Sequence, residues 1–364
     1  MASRLTRTRR SLLAGLGAAA AGLSFSAIEG CAAKRPIGAN GEELRLNLYN
    51  WDTYIGDTTL DDFKQATGVE VKMSLFSTND ELFAKLKAGN PGFDVIVPSN
   101  EYVTRFRIAG LLESLDHTKI PNSANLLPAF QNPPFDPGRR YSMPYTWLVL
   151  GIGYRKSKVD SVPDSWKWVM DSDRYKGRIG VFSEADDMIE LGAKYMGHSV
   201  RNIPLDVIDQ VAKMYIHQKP NIKIFHRDEG QDLLAAGDVD LVMEYNGDVA
   251  QKMLEDTDLD FVVPREGSII NSDCLCIPKG APRPDNAHRF INFILDARNG
   301  AAIYRKIRYP TANAAALALM PPDYRNNAVI FPPPEVMARC EYADFEGLDR
   351  AHLFDETATR IFAA

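Results

Sequence analysis

The sequence has 364 residues, of which 45% are hydrophobic and 25% charged, a composition typical of a globular protein large enough for two domains. Its formal net charge at pH 7 is −6. Because binding to nucleic-acid phosphates requires a basic surface, this charge balance argues against a nucleic-acid partner.

Residues 1–33 have the pattern of an export signal. The pair Arg9 and Arg10 precedes residues 14–27, which are uncharged and rich in Ala, Gly and Leu, and this arrangement resembles a twin-arginine signal. The stretch is too short and too rich in small residues to be a stable membrane anchor. We therefore expect a periplasmic protein. Its mature part has a net charge of about −9, since residues 1–33 carry four arginines and one glutamate.

Residues 28–31 resemble a lipoprotein box, which makes Cys31 a candidate for lipidation, with cleavage after Ala33 as the alternative. Residues 34–42 are then a tether that holds a soluble protein at a membrane surface. The other cysteines are Cys274, Cys276 and Cys340. They lack metal-site spacing, and a disulfide from either of the first two to Cys340 would leave one thiol free.

The first part of the mature chain alternates strand and helix patterns. Apolar periodicity predicts strands at 44–50, 69–75 and 94–98, and helices at 59–67 and 79–88. Asn79 or Asp80 is the predicted N-cap of the second helix. Strands and helices in this order indicate a doubly wound α/β lobe, in which ligands bind beyond the carboxyl ends of the strands.

A second lobe repeats this order of elements. The patterns predict strands at 178–182, 241–244 and 260–263, and helices at 188–196 and 205–218. Two extended segments, at 141–151 and 274–278, are predicted to cross between the lobes. A further helix is predicted at 284–295 and a Pro-rich surface connection at 321–334.

Motifs of enzymes are absent from the sequence. There is no Gly-x-Ser-x-Gly motif and no P-loop, and the pair Gly151 and Gly153 lacks the third glycine of a dinucleotide site. The six histidines are scattered without metal-ligand spacing. We therefore predict a protein without enzymatic activity, cofactor or metal.

Acidic and aromatic or polar residues recur together after predicted strands, at 51–54, 99–102, 183–187, 244–248 and 271–273. A single carboxylate in such a place is more often a helix cap, but five groups at the ligand-facing ends favour a binding site. Carboxylates suit the ammonium groups of a polyamine, and aromatic faces suit both its methylenes and its charges. On these grounds Asp52 and Glu101 are candidate ligand contacts.

From about residue 44 to residue 361 the chain resembles the periplasmic spermidine/putrescine-binding proteins. The resemblance rests on segments in matching order, among them Tyr-Asn-Trp-x-x-Tyr at 49–54, Phe-Asp-Val-Ile-Val-Pro-Ser at 93–99, Tyr-Ser-Met-Pro-Tyr-Thr-Trp at 141–147 and Tyr-Pro-Thr at 309–311. It implies a two-lobed α/β periplasmic-binding-protein-like fold with crossover strands and a ligand cleft between the lobes.

The resemblance also implies roles for individual residues. It implies aromatic walls at Trp51, Tyr54, Tyr245 and Tyr309, and a hydroxyl at Ser99. It implies an acidic pair from the second lobe at Glu184 and Asp187. Asp248 matches an acid seen in putrescine binders, and Asp273 matches the family's central acid. Tyr245 stands where relatives carry a tryptophan. Two further departures are Asn271 in place of a tryptophan and Glu101 in place of a tyrosine.

These patterns predict a monomeric solute-binding protein of an ABC importer that captures putrescine or spermidine and delivers it to permease subunits in the membrane. We expect one lobe at 43–147 and 273–317 and the other at 148–272 and 318–364. The alternatives are the same fold binding another cationic solute or iron(III), and a polyamine sensor domain.

Overall fold

The computed structural model describes residues 36–364, so the predicted export signal and Cys31 lie outside the described residues. In this range no helix is both long and apolar enough to cross a bilayer.

The β-strands of the described range are β1 (Arg45–Asn50), β2 (Glu70–Leu75), β3 (Val95–Ile96), β4 (Ser142–Pro144), β5 (Leu148–Arg155), β6 (Ile179–Phe182), β7 (Ile222–His226), β8 (Leu241–Tyr245), β9 (Leu259–Val262), β10 (Ile269–Asn271), β11 (Cys274–Cys276) and β12 (Glu341–Tyr342). Its α-helices are α1 (Thr59–Thr67), α2 (Asn79–Lys87), α3 (Asn100–Ile108), α4 (Lys167–Met170), α5 (Ala185–Tyr195), α6 (Leu205–Gln218), α7 (Gly230–Ala235), α8 (Asn246–Lys252), α9 (Pro284–Ile294), α10 (Ala297–Ile307), α11 (Ala314–Ala318), α12 (Pro322–Arg325), α13 (Pro334–Met337) and α14 (Leu348–Ala363).

The strands form two sheets, which confirms the predicted α/β class. The first sheet has the order β2-β1-β3-β11-β4, with β1 parallel to β2 and β3 and with β11 antiparallel to β3 and β4. The second has the order β12-β10-β5-β8-β6-β7, and β9 pairs with β5. Each sheet is covered by helices and has a hydrophobic core of its own. Two α/β layers of this kind are the architecture expected of a two-lobed binding protein.

The chain passes between the two sheets at two neighbouring places. Strands β4 and β5 follow each other in sequence but belong to different sheets, and the same is true of β10 and β11. The two crossing segments contact each other, because the carbonyl oxygen of Asp273 accepts a hydrogen bond from the Tyr145 backbone N–H at 2.7 Å. Asp273 is therefore held where the lobes join.

The N-cap of α2 differs from the prediction. Thr78, not Asn79 or Asp80, is the cap, and its hydroxyl accepts a hydrogen bond from the Glu81 N–H at 3.1 Å. Thr78 has the extended backbone that lets a side chain reach the third helical N–H, whereas Asn79 is already helical. The Asn79 side chain is used instead to hold Ser99.

Four further points of the prediction need correction. The strand β7 was not predicted, and α5 begins three residues earlier than expected. The Pro-rich segment 321–334 is more than a surface connection, because Tyr324 and Ile330 are fully buried in the first core. Asn246 donates hydrogen bonds to the carbonyl oxygens of Val329 and Ile330 and so fixes this segment. The cysteines at 274, 276 and 340 are free thiols, so none of them forms the suggested disulfide.

Candidate ligand-binding site

Ten side chains of the described region line one cavity: Trp51, Asp52, Tyr54, Ser99, Leu148, Asp228, Tyr245, Asp248, Asp273 and Tyr309. Several follow a strand within three residues. Trp51 comes after β1, Ser99 after β3 and Asp228 after β7, while Tyr245 is the last residue of β8. The cavity thus lies at the carboxyl ends of strands from both sheets, where α/β sheets bind their ligands.

Asp273 is the most firmly held carboxylate of the cavity. Its Oδ2 accepts a hydrogen bond from the Tyr54 hydroxyl at 2.8 Å, and its Oδ1 accepts one from the Ser99 hydroxyl at 2.7 Å. Tyr54 also contacts the Thr146 hydroxyl. Because the single Tyr54 proton goes to the carboxylate, Thr146 must be the donor in that second bond. Asp273 is only 5% exposed and is therefore a preorganised acceptor.

The hydroxyl of Ser99 is oriented by Asn79. The Asn79 amide nitrogen donates to the Ser99 oxygen at 3.0 Å, and the Ser99 backbone N–H donates to the Asn79 oxygen at 3.1 Å. With its acceptor side occupied in this way, the Ser99 hydroxyl gives its proton to Asp273. The polar end of the first lobe is thus a connected network.

A second carboxylate is held by an aromatic hydroxyl. The Tyr309 hydroxyl donates to Asp248 Oδ2 at 2.5 Å, and the Tyr309 ring meets the Tyr54 ring edge to face, with centroids 4.9 Å apart. Gly247 leaves room for this ring, since a Cβ at that position would lie 2.3 Å from Tyr309 Cγ. The helix α8 therefore positions Asp248, and its Gly247 leaves the space that the Tyr309 ring occupies.

The Tyr245 ring forms a further aromatic wall of the cavity, in addition to the rings of Tyr54 and Tyr309. Its hydroxyl donates to Asp187 Oδ2 at 3.3 Å, and its ring lies beside that of Phe182, with centroids 5.3 Å apart. On the opposite side the Trp51 indole N–H donates to the Val97 carbonyl oxygen at 2.9 Å, which fixes the ring. Aromatic faces are thus held on both lobes.

The carboxylates of this cavity have no cation among the residues that line it with them. None of the ten lining residues is a lysine or an arginine, whereas four are aspartates. Burial, together with Asp248, Asp52 and Asp273, raises the pKa of Asp228 to about 9. Burial also raises the pKa of Asp248 to about 7 and that of Asp273 to about 6, although their hydroxyl donors act in the opposite direction. Such a site lacks positive charge and favours a cationic guest.

Eight of the eleven residues predicted from the sequence lie together in this cavity: Trp51, Asp52, Tyr54, Ser99, Tyr245, Asp248, Asp273 and Tyr309. Asp187 lies behind the cavity wall, bonded to Tyr245. Glu184 lies outside the lining, at the N-cap of α5. Glu101 lines a different cavity.

Two lining residues were not predicted. Asp228 has the same signal as the other acids, since it follows a strand, but β7 is not among the strands that the sequence patterns predict. Leu148 is the first residue of β5 and stands in the predicted crossover. Nothing in its sequence context distinguishes it from other apolar residues of that segment.

Replacing Gly247 with alanine should lower the affinity for a cationic ligand by roughly tenfold. The added Cβ forces the Tyr309 ring to move, and the cavity then loses one wall and the hydrogen bond to Asp248, together about 1–1.5 kcal/mol. Titration calorimetry of the variant measures the change.

Gly300→Ala is the matched control, because it lies in α10 and its nearest neighbour, the Ala316 Cβ, is a looser 3.2 Å away. Equal affinities of the Gly247→Ala variant and the wild type would show that the ring position is unimportant.

Comparisons with known proteins agree with this geometry. The family described as "Bacterial extracellular solute-binding protein" matches residues 58–332. The putrescine/cadaverine-binding protein of Pseudomonas aeruginosa is 31% identical over 82% of this chain and 87% of its own length. The spermidine/putrescine-binding periplasmic protein of Escherichia coli is 32% identical over 83% and 87%.

A similar solved structure is that of the spermidine/putrescine ABC transporter substrate-binding protein from Streptococcus pneumoniae. Its TM-score is 0.74 at 30% identity, with 88% of this chain and 97% of that chain covered. The match extends over both lobes and supports the two-lobed fold.

Proposed function

The chain belongs to the bacterial extracellular solute-binding proteins, and on that premise we propose that it captures a polyamine, putrescine or spermidine, in the cavity between its lobes. The observation that carries this proposal is the lining itself, which combines four aspartates with aromatic rings and contains no basic residue. The names of its relatives point to the same class of ligand.

The chemistry of the lining fits such a ligand in detail. An ammonium that leaves water requires a carboxylate and further acceptors, which Asp273 and Asp248 offer with the hydroxyl oxygens around them. The methylenes between the ammonium groups lie against the faces of Trp51 and Tyr245, and each face also attracts the cations by roughly 0.5–2 kcal/mol. We assign ligand contacts to the eight predicted lining residues and, in addition, to Asp228 and Leu148.

We further propose that the lobes are 43–147 with 273–317 and 148–272 with 318–364, except that Tyr324 and Ile330 of the last segment pack in the core of the first lobe. We also propose that the lobes close on the ligand like a clamp. The protein then acts as a periplasmic monomer, without catalysis of its own, and hands the amine to the permease subunits of an ABC importer. Export by the twin-arginine signal and tethering through Cys31 belong to the same proposal.

A thermal-shift series with amines and matched neutral diols tests the proposal. A ligand present at 100 times its Kd stabilises the folded state by about 2.7 kcal/mol. We expect putrescine, cadaverine or spermidine to raise the Tm by several degrees, whereas 1,4-butanediol, which has the same spacing without charge, should leave it unchanged. Equal shifts for diamine and diol, or none for any amine, would refute polyamine capture.

A further inference from the structure

A second, small acidic cavity of the described region has a lining separate from that of the first. Its acidic lining residues come from three parts of the chain: Glu101 from α3, Asp186 and Glu190 from α5, and Asp344 and Glu346 from the segment before α14. The remaining lining includes Tyr102, Phe345 and Phe354. Like the first cavity, it combines carboxylates with aromatic rings.

The two arginines that line this second cavity are already paired. Arg105 contacts Asp80 at 2.8 Å and stacks on the rings of Phe83 and Tyr102, with its Nε hydrogen left without a bonded partner. Arg350 is bonded to Glu346 at 2.9 Å and to the Ile203 carbonyl oxygen. The charge of Arg105 also acts on Asp186, whereas neither arginine is bonded to Glu101 or Glu190.

Glu190 is the residue that points to a ligand. It is only 4% exposed, and its Oε2 has no hydrogen-bond partner within the described chain. Burial, together with the charges of Glu101, Asp186 and Asp187, raises the pKa of Glu190 well above its ordinary value. A buried carboxylate without a donor is unfavourable unless another group supplies the missing bonds.

We propose that this second cavity, defined by Glu101, Asp186 and Glu190, is a subsite for an ammonium group. The inference rests on the proposed function, which it deepens by assigning a place to an additional amine. An ammonium has three N–H donors and would supply the bond that Glu190 lacks. Since Glu101 and Glu190 come from different elements, a cation between them also joins α3 to α5.

The subsite is connected to the first cavity through two short stretches of the chain. Glu101 is two residues from Ser99, which donates to Asp273, and Asp187, a neighbour of Asp186 on α5, accepts the hydrogen bond from Tyr245. The ammonium can therefore come from the far end of one long polyamine or from a second amine molecule. In both cases an ammonium group binds the carboxylates, but the number of amine molecules bound per protein differs.

Titration calorimetry with putrescine and spermidine, on wild type and on Glu190→Gln and Glu101→Gln, distinguishes the sources. If one long amine spans both cavities, both variants lower spermidine affinity at least tenfold and change putrescine affinity less than twofold. If a separate amine occupies the subsite, wild type binds two putrescines and the variants bind one. Either result supports the subsite.

Glu335→Gln is the matched control, because it removes the same charge from an exposed residue of α13. Affinities and stoichiometries of both subsite variants equal to those of this control would overturn the inference while leaving the proposed function intact. Heat from calcium chloride alone that disappears in Glu190→Gln would assign the cavity to a metal ion and overturn it as well. A wild type that binds no amine would overturn both proposals. Glu101 is only partly buried, so Glu101→Gln remains informative if Glu190→Gln fails to fold.

Discussion

Asp273→Ala is expected to weaken polyamine binding by about 30-fold to several thousand-fold, whereas Asp52→Ala should cost less than about fivefold. Truncating one partner of a buried, hydrogen-bonded charge pair costs roughly 2–5 kcal/mol, because the other charge is left without a counterpart. Asp273 is 5% exposed and holds two hydroxyl donors. Asp52 is exposed, and pairs between exposed charges are worth about 0–1 kcal/mol.

Titration calorimetry with putrescine on both variants measures this difference. Urea unfolding of unliganded Asp273→Ala serves as its control, since the loss of the acceptor for Tyr54 and Ser99 could also lower stability by about 1–3 kcal/mol. Asp273→Asn keeps the shape of the side chain and removes only the charge, so it should lose most of the affinity as well. Similar small losses at positions 273 and 52 would show that Asp273 is not the central acid.

Polyamine affinity should fall as the pH falls from 8 to 5. Burial raises the pKa of Asp248 and Asp187 to about 7 and that of Asp273 to about 6, so the unliganded protein holds protons there that a dication must displace. Below these pKa values each released proton lowers the affinity by about tenfold per pH unit. We expect at least tenfold weaker binding at pH 5 than at pH 7.5.

The measurement is calorimetry in two buffers of different ionisation enthalpy at pH 7. Because binding releases protons to the buffer, the apparent enthalpy should differ between the buffers. The ligand itself contributes little, since alkyl ammonium groups with pKa values near that of lysine, about 10.4, stay protonated over this range. Affinity that is independent of pH between 5 and 8 would contradict the raised pKa values of the cavity.

The raised pKa values also have a consequence for stability. A carboxyl group with a higher pKa in the folded than in the unfolded state makes stability fall as the pH rises through that window. The unliganded protein should therefore lose stability between about pH 4 and pH 9. Asp273, Asp187 and Asp248 ionise in the lower part of this range, and Asp228, whose pKa is about 9, ionises in its upper part. A bound polycation supplies the missing countercharge, so its stabilising effect should grow over the same range.

Much of the first sheet and of the cavity could be predicted from sequence because each relevant residue follows a strand with a clear pattern. The alternation at 44–50 places Trp51 at the end of β1, and the apolar run at 94–98 places Ser99 after β3. These signals are local, and because ligands of α/β sheets bind at the carboxyl ends of the strands, they predict where the binding site lies. Asp228 carried the same signal after the alternating residues of β7.

Contacts between distant segments could not be predicted in this way. That Asp187 bonds to Tyr245, and that Glu101 faces Glu190, depends on how α3 and α5 pack, which no periodicity in the sequence reports. The burial of Tyr324 and Ile330 within a Pro-rich segment is of the same kind, because it depends on the hydrogen bonds from Asn246. Local patterns identify elements, and long-range packing decides what the remaining side chains meet.

Titration calorimetry of the wild-type protein with putrescine and spermidine at pH 8 tests the central claim most directly. If the four aspartates and the aromatic walls form a polyamine site, at least one of the two amines must bind saturably, with heat that 1,4-butanediol does not produce. The absence of saturable heat with both amines, together with an unchanged Tm at millimolar amine, would contradict the assignment of this cavity to polyamines.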